Sequence, residues 1–275
     1  MSVPPAPATA PPDLRPRHRP ARKFATLRVV MALILREMSS RYGRTPGGYL
    51  WGVLEPLAAI LVLSIGFSLI LRTPPLGTAF LLFYATGFLP FNLFNTVSQM
   101  VARSVTFSKP LLQYPAVTWI DAVLARFLLN SLTSVLVTLL LLGGVLVLTE
   151  TRAVLDLAAI LSAMALTMGL GLGVGVLNCA LMGLFPVWEL IWSVLTRPLF
   201  IASGVFFLYD DMPALAREIL WYNPLIHLIG AMRSGFYPMY SAAYVSNLYV
   251  LAVAGGTLAL GLLLMGRYHR DILNR

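Results

Sequence analysis

Five ionisable residues fall in or at the edges of long apolar runs: Glu55, Asp121, Arg126, Glu189 and Arg197. A charge in hydrocarbon is expensive, so such groups face protein or water and mark places where something polar is held or passed. Glu55 and Arg197 lie deeper and are the better candidates for a working role. Asp121, Arg126 and Glu189 sit near the ends of their runs, where a side chain can snorkel to the interface. Covalent chemistry has little to stand on. His18, His227 and His269 are scattered, so neither a His-based metal site nor a triad assembles. The acidic pair Asp210-Asp211 reads as a helix start. No G-x-x-x-x-G-K-[ST] phosphate loop occurs, so the chain is expected not to hydrolyse ATP by itself and to act without catalysis or a bound cofactor or metal. Cys179, the sole cysteine, reads as a small packing residue.

The elements that must position these groups are membrane helices. Of 275 residues, 58% are apolar and 11% charged, and the mean hydropathy is +0.80. Soluble domains carry about 25% charged residues, so the composition defines a polytopic membrane protein. A net charge of +9 invites a nucleic-acid reading. In a membrane chain the basic residues are better spent on setting orientation and meeting anionic lipid heads.

Residues 1–23 are rich in Pro and Arg and read as a disordered cytoplasmic tail. They do not read as a signal peptide, because the short apolar run Val29 to Leu35 leads into Arg36-Glu37. Residues 24–42 carry Phe24, Leu27, Met31, Ile34 with Leu35, and Met38 at helical spacing. They predict an amphipathic helix lying in the membrane surface. The expected fold is all-α and polytopic, a single domain over 43–267 with six spans at about 50–71, 79–101, 118–148, 155–184, 187–208 and 244–266. Before the last span, Asp210 to Trp221 and Asn223 to Phe236 predict two short re-entrant helices on the outer side. Asn223 serves as N-cap and Pro224 as the first helical residue. Residues 268–275 form a second cytoplasmic tail.

Charge places both termini in the cytoplasm. The N-terminal segment from Arg15 to Arg44, the loop with Arg103 and Lys109, and the tail with Arg267, Arg270 and Arg275 share one side. The other side has Arg72, Arg152, Arg217 and Arg233. The loop at about 102–117 is broken by Pro110 and Pro115 and can form a stubby helix projecting toward the cytoplasm. It is either a docking element or a plain connection. The outer half is dense in rings, among them Tyr84, Phe88, Phe91 and Phe206. These form an interfacial belt or line a path for sugars. Gly169, Gly171, Gly173 and Gly175 give small-residue spacing on two faces of the fourth span, for close helix packing.

An ordered set of motifs carries a resemblance. Leu35-Arg36-Glu37, Arg41-Tyr42-Gly43, Gly48-Tyr49-Leu50-Trp51 and Leu54-Glu55-Pro56 come first. Gly87-Phe88-Leu89-Pro90-Phe91, Ile120-Asp121 with Ala125-Arg126, Arg197-Pro198-Leu199 and Asn223-Pro224-Leu225-Ile226-His227 follow. Over about residues 24–270 the chain resembles the permease subunits of type 2 ABC exporters, nearest to the capsular polysaccharide export permeases of Gram-negative inner membranes. The resemblance implies a homodimeric channel in the bacterial inner membrane. Two copies of a separate ATP-binding subunit would use ATP and Mg. Periplasmic and outer-membrane export proteins would receive a lipid-linked, usually anionic glycan. It implies that Arg103, Phe107, Lys109, Pro110 and Tyr114 couple to the ATPase. Arg41, Arg44, Tyr49, Trp51 and Glu55 would flank the substrate entrance. Tyr84, Phe88, Arg197, Asn223, Pro224 and His227 would line the channel or outer gate.

Permeases for O-antigen, teichoic acid, lipids or drugs share the class and stay open as alternatives. A secondary transporter needs intramembrane carboxylates and repeat symmetry, and neither is visible. A glycosyltransferase needs paired acids or a His/Asp cluster on a membrane-facing loop.

Overall fold

The computed structural model describes residues 25–42, 48–114, 116–149 and 155–274. About 80% of them are helical, and no strand occurs among them. The predicted tail 1–23, Phe24 and Arg44 lie outside the described residues, as do the side chains of Arg41 and Tyr49.

The helices run in order as α1 (Ala25–Tyr42), α2 (Gly48–Ser68), α3 (Phe80–Ala102), α4 (Ser104–Ser108), α5 (Trp119–Leu148), α6 (Leu157–Leu184), α7 (Val187–Ile201), α8 (Ala214–Trp221), α9 (Pro224–Phe236) and α10 (Asn247–Asn274). Five of them, α2, α3, α5, α6 and α10, are long and apolar enough to cross a membrane. The starts are written in local chemistry. Thr118 and Asp121 form a reciprocal capping box on α5, with the Asp121 carboxylate accepting from the Thr118 N–H at 2.9 Å. Asp121 is thereby accounted for as a cap. Asp156 caps α6 through the Ala159 N–H at 3.1 Å. Asn223 caps α9 with Pro224 at its first turn, as the sequence predicts.

The core is built around α6, which packs against α3 on one side and α10 on the other. A Cβ on Gly175 would lie 2.9 Å from the Ser98 carbonyl of α3, and one on Gly261 of α10 would lie 2.6 Å from the Leu177 backbone nitrogen of α6. The glycines allow backbone-to-backbone approach at the depth where lipid gives no help to helix association. The two predicted faces are partly realised. Gly171 and Gly175 meet α3, Gly173 meets α10, and Gly169 meets nothing within 4 Å.

The predicted span at 187–208 is helical only over Val187–Ile201. Fifteen residues rise about 22 Å, short of roughly 30 Å of hydrocarbon. The break has a cause far away in sequence. Pro198 removes one donor, Gly204 turns the chain with φ of +87°, and the next carbonyls, Val205 and Phe207, are taken by the side chain of Arg233. At the other end of the chain, α10 continues through Asn274, so the expected tail from 268 is helical over its described residues.

α1 has two faces. Val30, Leu33 and Glu37 are buried, and Val30 and Leu33 form a small core with Ala125 of α5. Of the stripe that predicts an interfacial helix, Leu27, Met31, Leu35 and Met38 point away from the protein, while Ile34 is half-buried against that small core.

Candidate functional site

Three clusters stand out: a joint beside α4, a polar cavity between three spans, and an aromatic lid under α8 and α9.

The joint gathers residues that look unrelated in sequence. Arg126 of α5 pairs with Glu37 of α1 at 3.2 Å, with both side chains buried. Its guanidinium also donates to the Met100 carbonyl near the end of α3 at 3.1 Å and lies 4.1 Å over the Phe107 ring of α4. Arg36 approaches Phe107 as well, at 5.3 Å. One side chain therefore ties four helices together. A buried pair is costly to form and costlier to half-remove. Beside it, Arg103 reaches Glu189 at the start of α7 at 3.0 Å, half-exposed. The Trp188 indole N–H donates to Asn178 of α6 at 2.9 Å and seats that end of α7.

Placement sorts the residues expected in the coupling loop. α4 is indeed a stub of five residues. Arg103, Phe107, Pro110 and Tyr114 are exposed and Lys109 is half-buried, so the loop offers a surface while Phe107 is also held from behind. Arg126 and Glu189 do more than snorkel, for both carry ion pairs.

The polar cavity has a volume of about 240 Å³. α3 supplies Asn92, Asn95, Thr96 and Gln99; α5 supplies Asn130, Thr133 and Ser134; α2 supplies Gly52, Glu55 and Pro56. On each helix these recur at three and four residue steps, so each row occupies one face. Glu55 is the only ionisable group among the described residues of this lining. Of the predicted entrance set, Glu55 belongs here, while Trp51 is 60% exposed on α2 and is absent from the lining. The amides and hydroxyls were not singled out by sequence reasoning. Their signal was the spacing 92, 95, 96, 99 and 130, 133, 134, a polar row inside an otherwise apolar helix.

The lid replaces the picture of a ring-lined path at two positions. Tyr84 is fully buried, stacked near Phe67 and Phe83, and does not line an opening. His227 is also fully buried. The Ser246 N–H donates to its Nδ1 at 3.2 Å, so Nε2 carries the proton and donates to the Trp221 carbonyl at 2.7 Å. It fastens α8, α9 and the start of α10 together. Asn223 adds a bond to the Ala202 carbonyl at 3.0 Å. Phe88 is half-buried, edge-on to Phe200, and Arg197 is exposed on α7. Arg233, missed as a working residue, is the centre. It is buried, donates to Phe207 and Val205 at 2.9 and 3.0 Å, and lies 4.1 Å over the Phe83 ring. In the following loop, burial pushes the phenols of Tyr240 and Tyr244 up, which keeps them neutral.

This arrangement of spans, a stub helix after α3 and short paired helices before the last span is that of a polytopic membrane protein, and comparison makes the class specific. Residues 28–237 match the ABC-2 type transporter family, and the chain belongs to it. It is 30% identical over 235 residues to the polysialic acid transport protein KpsM of Escherichia coli, covering 86% of this chain and 91% of that one. It is 26% identical to the capsule polysaccharide export inner-membrane protein BexB of Haemophilus influenzae, covering 89% and 92%. With the inner-membrane protein CtrC of Neisseria meningitidis the identity is 24%, covering 89% and 92%.

Proposed function

We propose that this chain is the membrane subunit of an ATP-driven exporter that moves a lipid-linked capsular polysaccharide across the bacterial inner membrane. The observation that carries the reading is the near full-length similarity to two capsule polysaccharide export inner-membrane proteins and a polysialic acid transport protein. Two copies would form the channel, each bound to an ATP-binding subunit that holds ATP and Mg. The product would pass to periplasmic and outer-membrane export proteins. Both termini are cytoplasmic in this reading, α7 completes a sixth crossing with the turn that follows it, and α8 and α9 dip into the outer half of the membrane.

ATP binding closes the partner subunits and moves the α4 loop. Arg103–Glu189 passes that motion to α7, and Phe107 with Arg126–Glu37 passes it to α1 and α5. The stripe of Leu27, Met31, Leu35 and Met38 supports a helix resting on the membrane surface, and the sequence positions of Arg41 and Arg44 suit attraction of an anionic lipid head or glycan at the substrate entrance. This chain contributes binding, orientation and a path, with no covalent step.

The test is a deletion strain complemented with the wild-type gene. The expected result is loss of surface polysaccharide with lipid-linked glycan accumulating inside, restored on complementation, and co-purification of an ATP-binding protein. Normal surface polysaccharide in the deletion strain would overturn the reading.

A further inference from the structure

The cavity between α2, α3 and α5 poses a question of chemistry. Its amides, hydroxyls and one carboxylate are drawn from three apolar helices. Lipid tails cannot satisfy such groups, so its open side does not face hydrocarbon. The side chains are partly preorganised along their own helices. Gln99 donates to the Asn95 carbonyl oxygen at 2.8 Å, and the Thr133 hydroxyl donates to the Leu129 carbonyl at 2.8 Å. That leaves the Asn95 amide hydrogens, the Gln99 oxygen and the Thr133 lone pairs for an occupant. Asn92 and Glu55 make no side-chain hydrogen bond among the described residues. Donors and acceptors are thus interleaved, with one acid and no cation among the described lining residues.

We propose that this cavity is a binding site for an uncharged, hydroxyl-rich group, which each hydroxyl can enter as donor and acceptor at once. An anionic group fits it poorly, because it would meet Glu55 in a low-dielectric site where the described lining residues supply no cation to offset the repulsion. The polymer is read here by its hydroxyls, and its acidic groups are left to the cations of the N-terminal segment. Two sources carry this chemistry: a sugar unit of the exported chain, or the uncharged terminal glycerol of a phosphatidylglycerol head entering with its phosphate left outside the lining. The sugar source rests on the export reading above; the chemistry of the cavity does not.

The site is testable on the purified complex with its ATP-binding subunit. The sole cysteine, Cys179, is buried, so a Cys179→Ala chain carrying Thr133→Cys reports the cavity by its reaction with a membrane-impermeant maleimide. Ser134→Cys is the second reporter in case the first does not fold. In phosphatidylcholine nanodiscs, maltoheptaose is expected to slow labelling by about twofold once it half-fills the site. Oligogalacturonate at equal concentration slows it less. Protection without sugar in nanodiscs containing phosphatidylglycerol assigns the lipid source. Equal or better protection by oligogalacturonate overturns the proposal. So does rapid labelling that neither maltoheptaose nor phosphatidylglycerol slows. So does a reporter that stays unlabelled and instead cross-links to a second copy. These outcomes are independent of the deletion phenotype, so failure of the cavity reading and failure of the export reading are told apart.

Discussion

Two buried arginines fasten the two ends of this molecule, and they do it in opposite ways. Arg126 is held at 3.2 Å by a buried carboxylate, Glu37, from a different helix. Arg233 lies among carbonyls and rings, with the Val205 and Phe207 oxygens at 3.0 and 2.9 Å. The first arrangement joins elements that belong to different layers: the surface helix, the stub helix and two spans. The second organises a turn within one lid. An ion pair across elements makes a joint whose parts depend on each other for charge balance. A guanidinium spent on backbone oxygens makes a local brace. In the proposed orientation, the difference suits a cytoplasmic end that transmits displacement and an outer end that holds a shape.

The sharpest way to break the comparison is to remove each arginine. Arg126→Ala breaks a buried ion pair, and the expected loss is on the order of 3–5 kcal/mol, read as a fall in the thermal unfolding midpoint of the purified permease. Replacing both partners, Glu37→Met with Arg126→Met, is expected to restore most of that stability, since apolar isosteres often substitute for a buried pair without cost. Coupling should not return, and ATPase activity would run without export. A double variant that exports normally would show that the pair is only a fastener.

Arg233→Met ranks second. It leaves two carbonyls short of a donor but no opposite charge, so the expected loss is about 1–3 kcal/mol. The effect should be local. Hydrogen exchange of the segment from Ser203 to Leu208 rises, while the midpoint falls less than for Arg126→Ala. Equal losses at the two sites would erase the distinction between joint and brace.

What could be read from the chain alone follows the same division. Features with a local cause were legible. The Asn223-Pro224 helix start, the stub helix before Pro110 and the spans of α3, α5 and α6 match within two residues at each end. Features with a distant cause were not. Pro198 and Gly204 lie close to Ile201, but nothing there announces that the Val205 carbonyl will be claimed by a side chain some thirty residues on, where apolar composition would continue the helix. Arg126 looked like a charge at the end of a span, and Glu37 like part of the polar step after Leu35, until α1 was placed on α5. The polar rows of the cavity lie between these cases. Their spacing was visible, but only the packing shows that the rows on α3 and α5 face each other and that Glu55 joins them.

The smallest stability effect belongs to the pair that should matter most for timing. Arg103 and Glu189 sit 3.0 Å apart with side chains 53% and 57% exposed, so solvent screens them and the pair contributes roughly 0–1 kcal/mol. Arg103→Gln is therefore expected to leave the unfolding midpoint unchanged. Because the contact links the α4 loop to the first turn of α7, the same substitution should lower export per ATP hydrolysed. Added salt should weaken the wild type in the same direction. The charge swap Arg103→Glu with Glu189→Arg is expected to recover part of what either single change loses, since it restores the contact with its polarity reversed. If the swap recovers nothing while Arg103→Gln lowers export, then Arg103 acts on the ATP-binding partner directly. α7 would then be moved from the joint at Arg126 alone.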